Sequence, residues 1–291
     1  MDKNNNLNKR LRQILEFSIP FVIIGIVWEF LVILYCLTET LDHLPPFIQE
    51  VAKILSNFAL DPLLFPPPSK ICTTFLDLLV NRHPSLIEHL IRSLFHIFMG
   101  YSIGVGFGIM VGTIMGLNRT FYNVLNPILG LLISVPTLAW VPLLLIIIGL
   151  GDETIIIAIF LGCFFPIVYN TLNGIRGTDP QLIRAAEIMG AGKVDIYFEV
   201  LLPSSLLSTI TGLRLAVGYS WRALVGAEML AGISMGIGHL IYAARWGFQL
   251  DVMFTGLIII AAGGLIMDRL LMRPLEQTTV EKWGMVEKRS V

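Results

Sequence analysis

Six stretches of the chain are continuously apolar for long enough to cross a bilayer as helices, which takes about 20 residues each. They cover residues 17–37, 91–117, 128–150, 154–172, 208–229 and 252–271. Their apolar positions run on without polar alternation, so they read as helices and not as β-barrel strands. The pattern predicts an all-α integral membrane protein with six transmembrane helices, a single transmembrane domain over 1–291 with its core spans in 91–272. Polar stretches punctuate it: an N-terminal segment at 1–16, a long segment at 38–90, a loop at 173–207 between spans four and five, and a tail at 273–291.

Lysine and arginine placement orients these spans. With the N-terminus in the cytoplasm, the inner segments hold Lys3, Lys9, Arg10, Arg12, Arg119, Arg176, Arg184, Lys193, Arg269, Arg273, Lys282, Lys288 and Arg289. The outer segments hold only Lys53, Lys70, Arg82 and Arg245. Both termini and the 173–207 loop are therefore expected on the cytoplasmic side of the cell (inner) membrane. The first span follows a basic stretch without a small-residue cleavage site and reads as retained. In the 38–90 segment, 47–60 has apolar residues at helical spacing and could lie along the interface, and Pro66, Pro67 and Pro68 precede a second helical stretch at 70–80. This segment reads as a solvated cap or as a landing surface for an external partner.

Composition agrees with the membrane reading. Hydrophobic residues make up 55% of the chain and charged residues 14%, with mean hydropathy +0.77, against about a quarter charged in a soluble domain. A net charge of −1 gives no electrostatic reason to expect nucleic acid. Cys36, Cys72 and Cys163 are far apart and lack metal or redox spacing. The histidines, His43, His83, His89, His96 and His239, form no cluster in the sequence, which counts against a membrane enzyme.

Several features inside the spans carry physical content. Gly100, Gly104, Gly108, Gly112 and Gly116 recur at every fourth position of span two and make a smooth groove where another helix can approach closely. Pro136 and Pro142 bend span three. Freed backbone groups at that depth need protein or a water-filled cavity against them, so the bend either serves packing or lines a solute path with Thr137 and Trp140. Phe165, Pro166 and Asn170 pose the same question in span four. Span five carries Arg214, Trp221, Arg222 and Glu228, and charges within a span usually face the bundle interior or a cavity. Arg214 could snorkel to the inner interface. Arg222 reads either as half of a buried ion pair, as with Glu228 of another helix or subunit, or as a positive site for an anionic solute. Glu29 and Arg92 lie near span ends, where a structural role is expected.

The 173–207 loop has its own helical grammar. Asp179-Pro180 is a helix start, with Asp179 as cap and proline in the first turn. A short helix over 181–189 should end at Gly190, and a second over 193–202 should stop near Pro203. Two short helices around a turn form a docking knob. The sequence there, Arg184-Ala185-Ala186-Glu187-Ile188-Met189-Gly190, nine residues, then Val200-Leu201-Leu202-Pro203, resembles the loop signature of binding-protein-dependent ABC importer permeases. Arg184 stands where the family has glutamate and Val200 where it has isoleucine, with Glu187 one turn along. Further stretches, from Ser134-Val135-Pro136 to Ala227-Glu228, look like the nitrate/sulfonate/taurine-type branch.

The resemblance implies a permease subunit that forms the path for a small solute. It also implies a second permease copy (a homodimer), two ABC ATPase subunits on the coupling loop, and an extracytoplasmic solute-binding protein. The solute expected is an anion such as nitrate, bicarbonate, a sulfonate or taurine. Arg184, Ala185, Ala186, Glu187, Gly190, Leu202 and Pro203 would form the coupling site. Pro136, Thr137, Trp140, Phe165, Asn170, Trp221, Arg222 and Glu228 are the path candidates. The chain is not expected to be an enzyme or to bind a cofactor, and ATP and magnesium would sit on the ATPase. Gly190-Ala191-Gly192-Lys193-Val194 has a Gly-Lys but no following Ser/Thr, no glycine five residues before Gly192, and no preceding strand. The rival reading is a secondary transporter driven by an ion gradient. It would favour an inverted repeat and mid-membrane acids, and neither is found in the sequence.

Overall fold

Apolar runs with no water to satisfy their backbone must close every hydrogen bond within the segment, and every regular element among the described residues is helical. A computed structural model describes residues 18–33, 36, 61–232 and 235–272. The expected interfacial helix at 47–60, the N-terminal segment 1–16 and the tail 273–291 lie outside these.

In chain order the helices are α1 Ser18–Ile33, α2 Pro68–Val80, α3 Leu86–Leu117, α4 Arg119–Ile133, α5 Thr137–Ile147, α6 Asp152–Arg176, α7 Pro180–Ile188, α8 Lys193–Leu230, α9 Ile237–Trp246 and α10 Leu250–Ile266. Four of them, α3, α6, α8 and the segment Leu250–Arg269, are long and apolar enough to span a membrane, and α4 with α5 makes a fifth as a broken pair. Of the first expected span, α1 is the described part. The third expected span is broken and not merely bent: α4 and α5 meet at 96°. Pro136 caps α5 at this break, and Pro142 lies inside α5.

The chain divides into two compact units, residues 1–85 with 243–257, and residues 86–242 with 258–291. In the first, the Glu29 carboxylate accepts from the backbone N–H of Ser69 at 3.1 Å and from its hydroxyl at 2.8 Å, satisfying a free donor of α2's first turn. Ile71, Thr74 and Leu78 form the buried face of α2. Thr74 donates to Asp251 at 2.9 Å, and the Trp28 and Phe254 rings lie 5.4 Å apart. Asp77 accepts from Arg82 at 3.1 Å.

In the second unit α6 packs along both α3 and α8. The glycine stripe explains the closeness. A methyl group added at Gly100 would sit 2.6 Å from Ile159, at Gly108 2.8 Å from Ile167, at Gly112 2.7 Å from the Val168 carbonyl, and at Gly116 2.9 Å from Ile175. Every one of those neighbours is on α6, so the stripe is the α3–α6 seam, and van der Waals contact at this distance drives association where lipid removes the hydrophobic term. On the opposite side, Gly212 of α8 meets Asn170 and Gly174 of α6 meets Ser205. Arg214 is paired with Asp268 at 3.2 Å, so it is held by an acid and not only by the interface.

The expected helix over 193–202 does not stop at Pro203. It runs on as α8 through a π-helical turn, Ile196–Leu201. Leu202 N–H bonds to the Tyr197 carbonyl, one residue farther back than in an α-helix. A wide turn of this kind accommodates a residue in excess of the α-helical repeat, and the proline ring then enters at the start of a new α-helical register.

Candidate functional site

The helix break at 134–136 opens space between α4, α5, α6 and α8. A cavity of about 280 Å³ lies there. From α6 it is lined by Gly162, Phe165, Pro166, Tyr169 and Asn170, and from α8 by Leu215 and Tyr219, with Thr137 at the start of α5. The α6 positions recur at helical spacing and mark one face of that helix. Its polar groups are the Thr137 hydroxyl, the two tyrosines and Asn170. Asn170 donates to the Pro166 carbonyl at 2.8 Å. Its side-chain carbonyl keeps acceptor capacity.

Thr137, Phe165 and Asn170 thus come together, with Pro136 beside them at the break. Arg222 is exposed, and its guanidinium lies 5.2 Å from the ring centroid of Tyr219, which places a cation against a residue of the cavity wall. Trp140 lies outside the lining and its indole N–H is buried without an acceptor. Trp221 is buried against α10: it donates to the Ile260 carbonyl at 3.1 Å, and Gly263 and Gly264 make room for its ring. Glu228 is fully buried and pairs with His96 at 3.0 Å and Ser93 at 2.7 Å. A pairing with Arg222 is therefore not what holds it. The fold nevertheless gathers acids around His96, because Asp152 also lies 3.0 Å from its second nitrogen. These partners are 56 and 132 residues away, which no spacing rule reveals. The sequence reading omitted Tyr169 and Tyr219 from the lining. Their signal was the helical register, Tyr169 four residues after Phe165 and Tyr219 three before Arg222.

At the far end of α6, the 177–192 loop carries the knob. Asp179 caps α7 by accepting from the Gln181 N–H at 2.8 Å. The helix closes with two interlocked bonds: Gly190 N–H to the Glu187 carbonyl at 3.0 Å, and Ala191 N–H to the Ala186 carbonyl at 3.0 Å. This Schellman pattern needs a left-handed residue at Gly190, which has φ +86°. Ala186 is buried beneath the turn at 5% exposure, while Ile188 and Met189 are 87% and 80% exposed and Phe198 is 59% exposed. Arg184, Ala185, Glu187 and Leu202 are exposed and Pro203 is half-buried. Exposed apolar side chains held on a rigid turn are what a docking surface presents.

A helical bundle with a broken span and an internal cavity is the architecture of a membrane permease. The chain belongs to the family of binding-protein-dependent transport system inner membrane components, whose family model matches residues 104–273. It is an ABC importer permease subunit of the nitrate/sulfonate/taurine-type branch. The putative aliphatic sulfonates transport permease protein SsuC of Bacillus subtilis is 34% identical over 80% of this chain and 84% of its own. The taurine transport system permease protein TauC of Escherichia coli is 33% identical over 78% and 83%. The bicarbonate transport system permease protein CmpB of Synechococcus elongatus is 34% identical over 62% and 64%. Among solved structures, an inward-facing form of the MetNI methionine ABC transporter shares the fold, with TM-score 0.53, 20% identity, and coverage of 68% of this chain and 99% of that one.

Proposed function

We propose that this permease imports a small solute bearing an oxyanion group, with organosulfonates such as taurine as the first choice. The observation that carries this reading is the position of Arg222, whose guanidinium lies against Tyr219 on the cavity wall. A planar, permanently charged fork suits the oxygens of a sulfonate or carboxylate. The relatives named for sulfonates, taurine and bicarbonate support the same class. In this reading two copies form the path and the 173–207 loop and both termini face the cytoplasm. The knob, with Ala185, Ala186, Glu187, Gly190, Leu202 and Pro203 in and around it, seats in an ATPase subunit that binds ATP and magnesium. An external binding protein delivers the solute, and closure of the ATPases carries the spans between inward- and outward-facing states.

The test is ATP-driven uptake into proteoliposomes holding the permease, its ATPase and its binding protein. Labelled taurine, ethanesulfonate and bicarbonate are compared with an uncharged and a cationic solute. The solutes with a sulfonate or carboxylate-type oxyanion group should accumulate, Arg222→Gln should reduce that uptake, and Arg222→Lys should retain part of it. Accumulation of the uncharged or cationic solute alone would overturn the anion reading.

A further inference from the structure

Four ionisable side chains stand in a row of alternating sign at the start of α6 and the end of α8, a full helix length of roughly 36 Å from the knob. Arg92 of α3 pairs with Asp152 of α6. Asp152 Oδ1 lies 3.0 Å from His96 Nε2, and His96 Nδ1 lies 3.0 Å from Glu228 Oε1. His96 and Glu228 have no exposure at all. Around them, Ser93 donates its hydroxyl to Glu228 at 2.7 Å and accepts the Ile237 N–H at 3.0 Å, and the Gly238 N–H donates to Glu228 Oε2 at 2.9 Å. The chain is walled by glycine: a methyl group added at Gly236, where φ is +140°, would meet the Glu228 carboxyl at 2.6 Å.

The hydrogen-bond count decides the protons. A neutral imidazole has one N–H and one lone pair. Both nitrogens of His96 face a carboxylate oxygen, so a neutral ring would set a lone pair against an acceptor on one side. Two other donors already converge on Glu228, the single Ser93 hydroxyl proton shared between its two oxygens and the Gly238 N–H, which suits an ionised carboxylate acting only as acceptor. The other titratable groups nearby do not supply the missing proton. His89, two turns before, uses Nδ1 to accept the Gly236 N–H at 2.9 Å, and Glu88 and His239 make no hydrogen bond to His96 among those the structure shows for that ring.

We propose that His96 is a positioning residue, held doubly protonated between Glu228 and Asp152, and that the neutral-overall chain Arg92–Asp152–His96–Glu228 pins the ends of α3, α6 and α8 and the start of α9 into one body. The transport cycle moves packed spans as rigid elements. A buried charge without its partner is strongly unfavourable, so the chain makes any separation of these helix ends self-opposing. This inference stands on the permease assignment and is independent of which solute is carried.

Charge accounting gives an asymmetric test. In Glu228→Gln, His96 releases its second proton and Arg92–Asp152 remains balanced. In His96→Asn, Glu228 is left buried and unpaired. Adding Glu228→Gln to His96→Asn removes the stranded charge. The readout is the yield of monodisperse, folded full-length permease, and the ATP hydrolysis of the complex reassembled with its ATPase. Glu228→Gln should stay close to the parent, His96→Asn should fall by roughly tenfold or more, and the double variant should recover most of the loss. Ring-¹⁵N-labelled histidine spectra of the purified protein should show one histidine with both nitrogens protonated, absent in Glu228→Gln. A His96→Asn variant near the parent, a double variant no better than His96→Asn, or spectra showing only singly protonated rings would each overturn the proposal. Loss of taurine uptake alone, with these patterns intact, would count against the solute and not against this chain.

Discussion

Gly190 offers the sharpest test of how the knob is built. Its backbone lies in the left-handed region at φ +86°, and a side chain added there meets nothing within 4 Å. Replacement therefore costs no steric clash, and the whole effect is conformational. A residue with a Cβ in that region is disfavoured by about 1–2 kcal/mol, whereas asparagine tolerates it. That energy corresponds to about a 5- to 30-fold change in population. The competing conformation breaks the Gly190–Glu187 and Ala191–Ala186 bonds and lets Ile188 and Met189 leave their fixed positions. If the ATPase binds only the closed turn, its apparent affinity falls by up to the same factor. The assay is a titration of purified ATPase against full-length permease in nanodiscs, with Gly190→Asn, Gly190→Ala and Gly190→Val. Affinity should fall in the order Gly, Asn, Ala, Val, while melting of the transmembrane bundle stays unchanged. An alanine variant equal to the parent, or an asparagine variant weaker than alanine, would refute the reasoning.

Other expectations follow from the packing. Gly108→Val should lower bundle stability in detergent by about 1–3 kcal/mol, as overpacking does, because Ile167 sits 2.8 Å from the added carbon; Gly106→Ala, which meets nothing within 4 Å, should melt no lower than the parent. Trp221→Phe keeps the ring against Gly263 and Gly264 but loses the bond to the Ile260 carbonyl, and should cost about 1 kcal/mol in thermal melting with no change in solute selectivity. Asp179→Ala removes the cap of α7 and should weaken ATPase binding, with a helix loss of about 1 kcal/mol visible as faster amide exchange over residues 181–188.

What the chain settled by itself is local or one-dimensional. Apolar runs long enough to span lipid must be helical, because their backbone groups have no other partner, and five of the six expected runs appear as spanning helices or as the broken pair. Asp179, Pro180 and Gly190 wrote the bounds of α7, since a cap and a left-handed turn depend on residues only a few positions apart. The glycine stripe announced a close helix contact, though not that α6 would fill it.

Other features belonged to the tertiary structure. Pro136 marked a disturbance, but whether a proline bends a helix or breaks it by 96° depends on what packs into the gap. Pro203 read as a stop, and a π-turn carried the helix past it. Arg222 and Glu228 share one span, yet Arg222 lies exposed against Tyr219 while Glu228 is sealed with His96, 132 residues distant. Burial sets the fate of a charge within a span, and burial is decided by which helices happen to surround it.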